Sequence, residues 1–219
     1  MPSGLVVELV KSCLLVLSAL FPIVNPLGNS PIFLTLTSGY SSESRAILSR
    51  KIALNSFWLL TGSMLVGTHI LAFFGISIPI VQVGGGLVVI SAGWSVLQGE
   101  SEPTETSTKK NITQRDIANR AFYPLTLPLT VGPGSISVAL TLGATEIHRS
   151  HLLRLIAAIV GPALVALSVF LSYRFAERLA QFLGETVMNV IVRLSSFILL
   201  CIGVQIVWEG VRTLLNSPH

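Results

Sequence analysis

Two stretches of helix-breaking residues interrupt apolar runs that are otherwise long enough to cross a membrane. The first reads Asn25-Pro26-Leu27-Gly28-Asn29-Ser30-Pro31, inside a run that begins near Ser12. The second reads Pro128-Leu129-Thr130-Val131-Gly132-Pro133-Gly134-Ser135-Ile136-Ser137. Such breaks free backbone N–H and C=O groups that lipid cannot satisfy, so each must be buried in protein or line a wet cavity. Paired interruptions at matching positions of two halves are a sequence pointer to a transporter's binding site.

Composition supports a membrane setting. The 219 residues are 51% hydrophobic and only 11% charged, with a mean hydropathy of +0.76, against about 25% charged in soluble domains. The chain therefore reads as an all-α, polytopic membrane protein whose surroundings are the lipid bilayer. Its net charge of +4 does not mark a nucleic-acid partner, because the basic residues sit in short loops and form no stripe. No Lys or Arg precedes Lys11, and no small-residue cleavage site follows the first apolar run. That run is expected to stay as a membrane segment. Cys13 and Cys201 lie in apolar segments and read as small buried hydrophobes.

Six segments reach the roughly 20 residues needed to span: about 5–40, divided by the first break, then 52–74, 78–98, 121–143, 152–173 and 188–211. The first is either a broken helix or a re-entrant hairpin. Residues 99–120 are polar and charged and read as a mobile cytoplasmic linker. They separate a first three-span repeat, 1–98, from a second, 121–219. The loops after spans one, three and five hold nine Lys and Arg residues, whereas Arg149, Arg154 and Arg212 serve the other side. This bias places those loops in the cytoplasm and both termini outside. A shift of 107 lays Val24, Pro26, Gly28 and Ser30 on Val131, Pro133, Ser135 and Ser137, and a shift of 111 lays 80–85 on 191–196. Three spans per half would make the repeats opposite in orientation.

In the first break Ser30 is expected to cap a helix restarting at Pro31, and in the second Pro133 or Ser135 to open one likewise. Each restart would aim free N–H groups and a positive dipole end at the break, a place for a carboxylate. Gly28, Gly132 and Gly134 allow close approach to the backbone. Asn25, Pro26, Asn29, Ser30, Thr130, Pro133, Ser135 and Ser137 complete the candidate substrate site. Such a pair of breaks suits a small zwitterion. Gly84-Gly85-Gly86 and Ser195-Ser196 permit close helix packing.

Asp and Glu occur only near segment ends, so a coupling ion, Na⁺ or alternatively H⁺, is expected to be held by carbonyls and hydroxyls, as Na⁺ can be, rather than by a titrating Asp or Glu. Arg193 is a deeper charge and a functional candidate. His69 reads as an interhelical hydrogen-bonder. His148 and His151 alone are too few ligands for a metal site. An enzyme built on Ser135 would need a base in reach, and His69 and His148 lie on other segments. No catalytic residue, metal or cofactor is therefore expected.

At these residues the chain resembles the MarC family of six-span inner-membrane proteins, also described as neutral amino acid transporters. The likeness covers nearly the whole chain. Asn25-Pro26, Gly28, Pro31, Phe33, Leu36 and Thr37 match a first motif, and Pro128-Leu129, Gly132-Pro133-Gly134, Ile136 and Ser137 a second. Phe74-Gly75-Ile76-Ser77-Ile78 with Gly85-Gly86 match a third, and Arg193 with its apolar run a fourth. Where the family carries an arginine before the third motif's small residues, this chain has Gln82. Gln82 and Arg193 are carried forward as gating or structural-charge positions. The resemblance implies a bacterial cytoplasmic membrane protein and, for some members, transport of glycine, alanine and similar amino acids. The resulting expectation is an alternating-access carrier of small neutral amino acids. A passive facilitator or a scaffold without substrate is the alternative, and homo-oligomerisation is left open.

Overall fold

The computed structural model describes residues 2–98, 114–145 and 151–216, and among them all regular structure is helical. Helix α1, Pro2–Val24, ends at Asn25, and α2 resumes at once as Pro26–Leu36. Asn25 takes a left-handed conformation (φ 47°, ψ 58°), which asparagine tolerates better than most residues. α1 and α2 count as one apolar stretch, Val7–Leu36, so this is a broken helix that carries on and does not turn back as a hairpin.

Helix α3, Ser42–Phe73, starts where the Ser41 hydroxyl accepts the Ser44 N–H at 3.2 Å, with Glu43 in its positive first turn. It stops at Gly75, whose φ of 66° lets the Ile76 N–H reach back to the Leu71 carbonyl at 2.9 Å. Helix α4 is Ile78–Gln98, the bounds expected from sequence. Residues 99–113 of the expected linker lie outside the described residues, but its last seven form helix α5, Gln114–Arg120. A wide π-helical segment, Ala121–Thr130, follows, with extended backbone at Tyr123 and Leu127 before Pro124 and Pro128. The chain then turns into α6, Pro133–Thr145; the two pieces meet at 72°. Helix α7 is His151–Arg174 and α8 is Ala176–Asn216, bent at Gly184, where φ 73° and ψ 166° suit only glycine.

Among the described residues four helices are long and apolar enough to cross a membrane, or five if the bent pair is one span. Helix α3, the expected second span, is long enough at 32 residues.

The buried core gathers around the breaks. Val16, Leu20 and Val24 of α1, Phe33 of α2, Leu48, Ile52, Leu60 and Met64 of α3, and Val165, Val169 and Tyr173 of α7 form one cluster with Leu125 and Val131. Helices α4 and α8 stand beside it as the most extensively packed pair. Their contacts run from Gln82 against Gly210 to Gly93 against Ser196, so the two are antiparallel. Glycine makes the approach possible: a Cβ on Gly86 would sit 2.9 Å from the Gly203 carbonyl, and one on Gly203 2.8 Å from the Ile90 nitrogen. This pair touches the core chiefly through α6, on α4, and α2, on α8.

Candidate functional site

The first break is organised by Asn25. Its side chain accepts the Gly28 N–H at 3.1 Å and caps α2, with Pro26 as the first helical residue. This corrects the expected restart at Ser30-Pro31: both lie inside α2. The physical reason is that Pro26 has no N–H to continue α1, so the ladder fails there first. Ser30 is fully buried and donates to the Pro26 carbonyl at 2.8 Å, one turn back in its own helix. Gly28 is needed because the Asn25 amide lies over it; a Cβ there would sit 2.4 Å from the amide nitrogen.

The second break is organised by Gly132 and Pro133. Helix α6 begins at Pro133, as expected, and its first turn closes where the Ile136 N–H reaches the Gly132 carbonyl at 3.1 Å. The buried Ser135 hydroxyl donates to that same carbonyl at 2.9 Å. Thr130 is buried before the break, donating to Leu125 O at 2.7 Å. Ser137 donates out of α6 to the Val81 carbonyl of α4 at 2.8 Å.

One side chain joins the two breaks. The Asn29 amide donates to Val24 O, the last carbonyl of α1, at 2.9 Å, and to Leu129 O before the second break at 3.0 Å. Both carbonyls are left over at helix ends, and one amide satisfies them together. A second tie lies one turn further along α2. The Phe33 ring stacks on Tyr173 of α7 at 4.6 Å and 8°, and the Tyr173 hydroxyl shares a 2.9 Å hydrogen bond with Thr130. Tyr173 was not among the expected residues. A tyrosine closing an apolar run suggests the membrane interface, whereas here the ring is buried against both halves.

Beside the second break, α4 and α6 leave a groove of about 310 Å³ lined by Val81, Gly84, Gly85, Val88, Pro133, Ile136, Ser137 and Leu140. Gly85 fits closely against Ser137, whereas a Cβ on Gly84 would meet nothing within 4 Å. Gly134 is not open to the groove: a Cβ there would lie 2.0 Å from the Val89 side chain. Glycine at 134 therefore serves α4–α6 packing.

The remaining expectations resolve less tightly. Arg193 is exposed on α8 and makes no ion pair among the described residues. It lies beyond the Gly93 end of the α4–α8 contact, whereas Gln82 packs on Gly210 at the opposite end. The two positions do not meet. His69 is exposed near the end of α3 and is not held between helices. His148 and the His151 side chain lie outside the described residues.

The profile described as MarC family integral membrane protein matches residues 10–215. The chain is 32% identical to UPF0056 membrane protein YvbG of Bacillus subtilis over 195 residues, covering 89% of this chain and 91% of that protein. It is 32% identical to a UPF0056 membrane protein of Aquifex aeolicus, covering 90% and 91%. It is 30% identical to UPF0056 inner membrane protein MarC of Citrobacter koseri, covering 97% and 99%. No solved structure matches.

Proposed function

The chain belongs to the MarC family of integral membrane proteins, and we propose that it is a secondary carrier of small neutral amino acids working by alternating access. The observation that carries this reading is the Asn29 amide, which ties the end of α1 to the second break. Unwound backbone inside a bilayer is tolerated only within protein or beside a wet cavity, and joined breaks of this kind are where carriers bind their cargo.

The reading takes the chain as six spans in two inverted repeats in a bacterial inner membrane, with both termini periplasmic. The helix pairings support it. The restarts at Pro26 and Pro133 are 107 residues apart, the shift at which the two motifs align. α3 packs on the 121–130 segment and α6 while α7 packs on α1 and α2; α4 packs on α6 while α8 packs on α2; and α4 pairs with α8. Each contact is its partner's counterpart under exchange of the halves.

The substrate is assigned to the groove between α4 and α6, whose volume of about 310 Å³ exceeds that of a glycine- or alanine-sized molecule. The groove lies against the first turn of α6 at Pro133, Ile136 and Ser137, and the amino-terminal end of a helix favours a carboxylate. Leucine at Gly84 would project into the groove without a backbone clash. Alanine and glycine are expected to raise the melting temperature of the purified protein, by several degrees at saturating concentration. Gly84→Leu is expected to abolish that shift while leaving the apo melting temperature near wild type. No shift with any neutral amino acid, or an undiminished shift in Gly84→Leu, would overturn the assignment.

A further inference from the structure

The geometry points to a sodium-ion site at the junction of the two breaks, formed by the carbonyls of Val24 and Leu129 and the side-chain oxygen of Asn29. This rests on the carrier reading and names where its coupling ion would sit. The two carbonyl oxygens come from different halves of the chain, yet both lie about 3 Å from one atom, Asn29 Nδ2. Val24 closes α1, and Leu129 follows the extended backbone at Leu127, just before the second break. The carboxyl-terminal end of α1 carries partial negative charge, and the Leu129 carbonyl adds its own dipole beside it, a local field that favours a cation. The partly positive NH₂ group of Asn29 answers that field in this structure.

Asparagine can serve in two ways. A half turn of its amide exchanges NH₂ for a carbonyl oxygen at the same place. The junction then presents three neutral oxygens, two from backbone and one from a side chain, in position to surround an ion. Hard oxygen ligands select alkali and alkaline-earth cations over softer metals. No carboxylate is among them, so the set suits a monovalent ion; calcium sites draw on carboxylates. Asn29 is partly exposed, and Val24 and Thr130 are buried, so the junction has an opening on one side and a dry floor on the other. A cation bound there would tie the two halves by replacing the amide bridge, which couples ion occupancy to their relative position.

The test needs no transport. Melting temperatures of the purified protein are compared in NaCl and in choline chloride at equal ionic strength, without amino acid. Sodium is expected to stabilise the wild type by a few degrees. Asn29→Leu should lose the difference, and Gly62→Ala, which meets nothing within 4 Å, should keep it. Asn29→Asp should enlarge it, because a carboxylate facing two carbonyls needs a cation or a proton. This variant reports even if Asn29→Leu fails to fold. Equal melting in both salts for wild type and Asn29→Asp, or a sodium shift that survives in Asn29→Leu, would overturn the site. The carrier reading fails separately: a sodium shift without any alanine shift retains the ion site and removes the amino acid, and the converse removes only the ion site.

Discussion

Asn25 holds φ at 47° while its side chain caps α2 through the Gly28 N–H, so one residue both tolerates the break and restarts the helix. Alanine loses both properties. Asn25→Ala is expected to cost about 2 kcal/mol, roughly half from the lost cap and half from the left-handed backbone. Asn25→Gly should cost only a few tenths of a kcal/mol. Unfolding in detergent micelles measures both, and equal losses would mean that the left-handed backbone carries no cost. The Thr130–Tyr173 hydrogen bond is a second local prediction. Tyr173→Phe and Thr130→Val should each destabilise by about 1 kcal/mol, and the double variant by less than the sum, because both remove the same bond. At this scale the sequence was only partly legible. Both Asn25 and Ser30 precede a proline and both are good caps; what separates them is that asparagine accepts a positive φ and that Pro26 fails α1 first. Tyr173 meets Thr130 across 43 positions, and no local pattern announces such a contact.

Helices were more legible than their partners. Proline and glycine mark the bounds of α4 and the restart at Pro133, whereas α7 runs unbroken through Gly161-Pro162. Side-chain surroundings did not follow. Gly134 read as room for a ligand, yet it is room for Val89; Gly84, read only as packing, borders open space. Arg193 stands in an apolar run, and its face of α8 is not covered by this chain's described residues. The α4–α8 contact yields a comparison between glycines. Gly203→Val should destabilise by about 3 kcal/mol, because its Cβ would meet backbone at 2.8 Å that cannot give way. Gly62→Val should cost well under that, since nothing lies within 4 Å there. Gly184→Ala should cost about 1–3 kcal/mol from backbone strain alone, with no side-chain clash. Melting temperatures of the three purified variants rank them.

For the whole molecule, α4 and α8 form one antiparallel unit beside a core built on α1, α3 and α7. Alternating access as proposed would shift these two bodies against each other around the joined breaks. The proposed topology has both termini in the periplasm, on the bias of positive residues among the loops. Alkaline phosphatase fused after residue 216 should therefore be active, and green fluorescent protein at the same place dark; the reverse result would invert the topology. The most direct measurement is counterflow of labelled alanine in proteoliposomes. Wild type is expected to exchange external for internal alanine with saturation, and Gly84→Leu and Asn29→Leu to exchange at least tenfold more slowly. Flux that never saturates, no exchange at all, or wild-type exchange in both variants would contradict a carrier built on the joined breaks.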